Sequence, residues 1–121
     1  MRYLRIYAKD DGASRFEDVE LKGSLTHVVD GVPLLLVSGP FACREITFVE
    51  QPNDACDWKA HVAPRKQWGI VISGRLAITT SDGERREVGP GAVILLEDTA
   101  GKGHVSTPVR ANCQLALIPI A

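Results

Sequence analysis

Apolar and polar positions alternate with a period of two along most of this chain, the signature of half-buried strands. Positions 2–7 alternate as Arg2-Tyr3-Leu4-Arg5-Ile6-Tyr7. Positions 34–37 form a short apolar run, and 42–50 read as a strand with Ile46 and Phe48 on one face. A strand at 68–73 opens from Gln67 and pairs with 76–80 across Gly74; 84–88 follows the Asp82-Gly83 turn, and 114–120 closes the chain. The unbroken apolar run 92–96 predicts a strand buried on both faces. Period two places Gln67, Gly69 and Val71 on a common face. No window keeps apolar residues at helical spacing for three turns, and 16–21 reads as loop or strand. Turn signals such as Asp30-Gly31, Gly39-Pro40 and Gly89-Pro90-Gly91 punctuate the segments. Many short strands at even spacing predict an all-β sandwich or barrel. With no linker, low-complexity tract or clear repeat, residues 1–121 read as a single domain.

Composition narrows the classes of function. Hydrophobic residues are 45% and charged residues 24%, so the chain can bury a core without staples. A formal net charge of −1 gives no reason to expect nucleic acid as a partner. No stretch approaches the ~20 apolar residues that span a bilayer, so no membrane partner is expected either. The alternating N-terminus is unlike a signal peptide, and the default location is cytoplasmic. Cys43, Cys56 and Cys113 are odd in number and lack C-x-x-C spacing, which favours small hydrophobes over disulfides or a thiolate cluster.

Candidate chemistry centres on two of three histidines. His27, beside Val28 and Val29, reads as a surface or edge residue. His61 opens His61-Val62-Ala63-Pro64-Arg65-Lys66-Gln67, just before the 68–73 strand. His104 follows the buried run and the loop Gly101-Lys102-Gly103, whose glycines allow sharp bends that return His104 over a barrel mouth. Gln67, on an otherwise apolar strand, needs partners for its amide if it points inward.

In this order, the residues resemble the cupin superfamily. Its first motif is G-xxxxx-H-x-H-xxx-E-xxxxxx-G. His61 matches the first histidine and Gly74 the closing glycine, while Ala55, Ala63 and Gln67 stand at the leading glycine, second histidine and glutamate. The second motif is G-xxxxx-P-x-G-xx-H-xxx-N. Gly91 and Gly101-xx-His104 match, over a stretch two residues longer, with Thr99 at the proline and Pro108 at the asparagine. The resemblance covers the motif region 58–108 and is narrower still to small single-domain cupin-2 proteins. It implies a double-stranded β-helix, or jelly-roll barrel, with His61 and His104 facing each other inside. It also implies a homodimer, in which Tyr3, Ile6 and Tyr7 on the first strand add to a partner's sheet edge.

Two readings of the site follow. In one, His61, His104 and Gln67 or Glu97 bind a divalent transition metal such as Zn, Fe, Mn or Ni. Glu97, at the end of the 92–96 run, is the replacement carboxylate. In the other, His61 and His104 are a proton-transfer pair in a mostly apolar pocket, and Gln67 orients a substrate oxygen. Arg65, Trp58 and Lys102 are the candidates for substrate contacts; each also has an ordinary reading as loop or packing. Trp68 reads as packing, and Arg85-Arg86 as part of a wet outer face. The preferred function is an isomerase, cyclase or lyase acting on a small organic molecule, with metal assistance open. The alternatives are a metal-dependent dioxygenase and a non-enzymatic module that senses or binds a metabolite.

Overall fold

The structure is a computed structural model that describes residues 1–52, 59–110 and 112–121. Among the described residues there is no helix, and eleven strands follow one another. They are β1 (Arg2–Ala8), β2 (Ser14–Glu20), β3 (Ser24–Thr26), β4 (Leu35–Val37), β5 (Thr47–Gln51), β6 (Gln67–Ser73), β7 (Leu76–Thr80), β8 (Arg85–Val88), β9 (Val93–Leu96), β10 (His104–Pro108) and β11 (Cys113–Pro119). The all-β class expected from the period-two pattern is therefore present. The 16–21 segment belongs to β2, and the 42–50 strand starts later, at Thr47, after an isolated bridge from Cys43 to Ile120.

Hydrogen bonding groups the strands into a six-stranded sheet in the order β2-β1-β9-β6-β11-β5, a three-stranded sheet β10-β7-β8, and the hairpin β3-β4. The large sheet is mixed, because β1 and β9 run parallel while its other pairs are antiparallel. Among the described residues the ladders stop at β2 and β5 on one sheet and at β10 and β8 on the other, so the sheets do not close into a barrel. They face each other as two layers across one core. Ile6, Val71, Ile94, Leu115 and Cys113 come from the large sheet, and Leu76 and Ile78 from the small one. Each large aliphatic side chain buried there contributes about 1.5–3 kcal/mol.

Alternation carries through to burial. On β6, Gln67, Gly69 and Val71 face the core as the sequence pattern predicts. Trp68 lies on the opposite face, packed edge-on against Tyr3 at 5.0 Å and Phe41 at 5.7 Å between ring centroids. Ile94 and Leu95 are adjacent in β9 and both buried, because β9 is flanked by β1 and β6 and covered on both faces. Arg85, exposed, pairs with Glu87, and Arg86, half-buried over the Phe16 ring, pairs with Glu84 and Asp18.

One expectation is overturned. β1 is not an edge strand offered to a partner: it pairs with β2 on one side and β9 on the other, and Ile6 is fully buried in the core. Both rows of its backbone groups are used within the chain.

Candidate functional site

The two sheets meet over a cavity of about 440 Å³. Leu76 and Ile78 of the small sheet and Ile94, Leu96, Leu115 and Leu117 of the large one supply its apolar walls. Polar groups are few: His61, Gln67, His104 and Ser106, with Glu50 and Gln51 along β5. A mostly apolar cleft with a few convergent polar groups is the ordinary form of a small-molecule site.

His61 and His104 are brought together by their own backbones. Each N–H donates to the other's carbonyl at 3.0 Å, so the two residues sit directly opposite as an isolated antiparallel bridge. Opposed residues project their side chains to the same face, and the ring centroids are 5.1 Å apart. The approach depends on Gly103, which has φ of 71°; a Cβ there would come within 2.2 Å of the His61 carbonyl oxygen. The Ala63 N–H donates to the Asp98 carbonyl at 3.0 Å and holds the 61–63 segment against the end of β9. Ser14, fully buried at the start of β2, braces the other side: its hydroxyl donates to the Gly103 carbonyl at 2.6 Å and accepts from Ser81 N–H at 2.8 Å.

The two imidazoles differ in setting. His104 is 4% exposed, and its Nδ1 lies 2.5 Å from Oδ2 of Asp98, which is 0% exposed. A carboxylate accepts only, so it orients the ring with Nδ1 as donor and leaves Nε2 with its lone pair. The other Asp98 oxygen, Oδ1, is buried with no hydrogen-bond partner, so His104 is the group that compensates this carboxylate. His61 is exposed at the rim, and its Nδ1 contacts the Val62 carbonyl at 3.0 Å, which again makes Nδ1 the donor and frees Nε2. Gln67 opposes Leu96 in the β6–β9 ladder, is 4% exposed and lines the cavity. Among the described residues its amide has no hydrogen-bond partner. Its unmet donors and acceptor are available to a ligand.

Other sequence candidates are elsewhere. Glu97 does not line the cavity: alternation along β9 turns Ile94, Leu96 and Asp98 inward and Glu97 outward. There its carboxylate meets Lys66 Nζ at 2.7 Å and the Arg5 guanidinium. Burial pushes the Glu97 carboxyl up, but its hydrogen bonds from Lys66 and Arg5 outweigh that and hold it below the usual range. Arg65 points away from the cavity into an ion pair with Glu45. Lys102 is exposed and takes no part in the cavity wall; its backbone N–H donates to Gly12 at 2.9 Å. Trp58 and Cys56 lie outside the described residues. Asp98 and Ser14 were missed. Asp98 was within reach, since the period that places Ile94 and Leu96 inward continues to it.

A metal of the kind the cupin resemblance implies needs three or more donors at one point. Among the described residues, no group of three or more His, Cys, Asp or Glu side chains converges in that way. Two imidazoles and one amide face the cavity, Ala63 stands where the motif has its second histidine, and Asp98 is behind His104. This set does not fit a three-histidine, one-carboxylate centre.

No protein-family model and no curated protein matches the chain. Among solved structures it is similar to protein NMB1881 from Neisseria meningitidis, with a TM-score of 0.51 and 17% identity over 63% of this chain and 72% of that one. At this identity the likeness is one of fold. No helix among the described residues is long and apolar enough to cross a membrane.

Proposed function

We propose that this chain is a cupin-type enzyme that moves a proton on an uncharged, mostly apolar small molecule, as an isomerase, cyclase or lyase does. The observation that carries the reading is the Asp98–His104 pair, with His104 on the cavity wall, Asp98 fully buried behind it and His104 Nε2 free. The cupin reading draws support from the two facing sheets, from His61 just before β6 and His104 at the start of β10, and from Gly74 at φ 79° in the turn between β6 and β7.

The chemistry follows from the residues. His104 Nε2 takes a proton from the substrate; Asp98 stabilises the imidazolium and keeps the ring oriented, work worth about 10²–10⁴ in rate. The Gln67 amide donates to the substrate oxygen on which charge develops. His61, exposed at the rim, takes a proton from solvent at Nε2 and gives it to the product, and His104 releases the proton it took to solvent when the product leaves. No step needs a metal.

Charge defines the substrate class. No Lys or Arg is among the described residues lining the cavity, and residues 53–58 contain none in sequence. Among the described residues, Glu50 on the wall and Asp98 behind His104 are the carboxylates nearby. An anionic substrate would be desolvated beside them with no permanent cation among the described residues to meet it, which is costly. A neutral ketone or hydroxyketone places its one oxygen on Gln67 and its apolar body against the aliphatic walls. The free thiols of Cys43 and Cys113 support a reducing, cytoplasmic location.

Hydrogen–deuterium exchange at carbon tests this reading. A panel of neutral enolisable ketones is incubated with the protein in D₂O and followed by NMR. Catalysed exchange is expected, falling at least 100-fold in His104→Ala and Asp98→Asn, with matched carboxylates inert. Binding of the ketones without exchange, unchanged in both variants, would instead show a metabolite-binding module.

A further inference from the structure

The proton-transfer chemistry leaves one polar group of the cavity wall without work. Gln51 is engaged: its Nε2 donates to the Ser106 carbonyl at 2.8 Å, across the gap between the β5 and β10 edges. Glu50 accepts from Asn112 at 3.4 Å. The Ser106 hydroxyl has no hydrogen-bond partner among the described residues. It is not one of the fully buried atoms that lack a partner either, so it opens onto the cavity that Ser106 lines.

Its direction is set by the ladder. In the β10–β7 pair Ser106 opposes Ile78, as His104 opposes Thr80. Opposed residues project to one face, and Ile78 is buried in the core. His104 and Ser106 therefore face the cavity together, roughly 6.6 Å apart along the strand. His104 and Gln67 stand at the same end of it: Leu96 opposes Gln67, and Asp98, two residues on, bonds His104. Ser106 is thus one strand repeat beyond the groups that handle the proton.

The corresponding step on β6 is Gly69, two residues beyond Gln67, buried and lining the cavity. Neither backbone nor neighbours require a glycine here. Its φ lies outside the left-handed region. A Cβ would meet Leu117 Cδ2 at 3.7 Å, Ile94 Cβ at 3.9 Å and Leu96 Cδ1 at 3.9 Å, all ordinary contacts. Glycine inside a strand weakens it and often marks the close approach of a ligand. The missing side chain leaves room in an otherwise aliphatic wall.

We infer that the substrate is a ketone with a second oxygen, a hydroxyl set away from the reacting carbonyl, which Ser106 binds while the carbon skeleton lies against Gly69. The inference deepens the proton-transfer reading and rests on it for the carbonyl end. A cyclic hydroxyketone is the simplest such molecule. Its carbonyl oxygen meets Gln67, the neighbouring carbon meets His104 Nε2, and its far hydroxyl meets Ser106 Oγ, which both donates and accepts. A wall that bonds a hydroxyl rejects the analogue carrying a methyl, because the serine is then left unpaired in an apolar cavity.

The pair 4-hydroxycyclohexanone and 4-methylcyclohexanone tests it, since the two share a shape and their exchangeable carbons. In the wild-type chain the hydroxyketone is expected to show at least tenfold higher kcat/KM for carbon deuteration in D₂O, and at least tenfold tighter binding by NMR titration. Ser106→Ala should erase the preference by slowing the hydroxyketone alone, with the pH profile and the methylketone rate unchanged. Gly69→Ala should match or exceed wild type in urea stability and weaken both ketones alike. Equal rates and affinities for the two ketones in wild type would overturn the inference, as would a preference that Ser106→Ala leaves intact. The wild-type comparison decides even if a variant misfolds. Exchange without preference removes the Ser106 subsite and keeps the proton-transfer reading. Preferential binding of the hydroxyketone without exchange removes that reading and keeps the subsite. A chain that binds neither ketone refutes the subsite.

Discussion

The residues that carry the site are those whose polar groups lack partners inside the chain. Gln67 is the clearest case, buried on a core-facing strand with an amide that no described residue meets. Its amide atoms are not among the fully buried ones that lack a partner, so they open onto the cavity, where water or a ligand can meet them. Gln67→Leu keeps the volume and replaces that amide with apolar surface. Urea unfolding should show this variant equal to wild type or up to about 2 kcal/mol more stable, while ketone exchange falls at least tenfold. A clear loss of stability would mean that the amide is already satisfied and is not waiting for a ligand. Asp98 is the opposite case: it meets His104 through one oxygen and nothing through the other. Cys113 is inert by comparison, since burial pushes its thiol up and away from the reactive thiolate.

Among the elements, the ends of strands rather than their middles hold the site. Glu97 illustrates what the outward position does. It follows β9 directly and ties β1 through Arg5 to the lead-in of β6 through Lys66. Its folded carboxyl is held below the unfolded value of 4.5. Its stabilising effect is thus fully present above about pH 4.5 and is lost as pH falls through the lower, folded value. Glu97→Gln should therefore lose stability on the order of 1 kcal/mol at neutral pH. The gap to wild type should close in acid when both are titrated by chemical denaturation from pH 7 to pH 3. A gap that stays constant over that range would rule out the ion pairs as its source.

At the scale of the molecule, stability and function occupy different regions. β6, β9 and β11 are paired on both sides and carry Gln67, Val71, Ile94 and Leu115 into the space between the sheets. β3 and β4 are paired only with each other and contribute nothing to the central buried cluster, whereas β8 still packs Val88 against it. Native-state hydrogen exchange on dilute protein should find the slowest amides in β6, β9 and β11, opening only with global unfolding, and the fastest in β3–β4. Slow exchange in β3–β4 under monomeric conditions would show that the hairpin is held by its own chain.

The sequence by itself determined what is local. Period two sufficed for the all-β class, for most strands and for the inward face of β6, because neighbouring side chains on a pleat must point to opposite sides. Glycine spacing located the bend before His104. What only the tertiary structure decided involves residues far apart in the chain. β3 and β10 were not legible: one is three residues long, and the other, Val105-Ser106-Thr107 leading into Pro108, lacks a run of apolar residues. That β1 lies inside a sheet, beside β9, depends on a parallel pairing over some ninety positions. Arg65 and Lys66 were drawn from the cavity by Glu45 and Glu97, partners that loop sequence cannot assign. Between neighbours Glu97 and Asp98 the sequence reading chose Glu97, which the fold turns outward; Asp98, two residues past the end of β9, is the buried carboxylate that meets the His104 ring nitrogen.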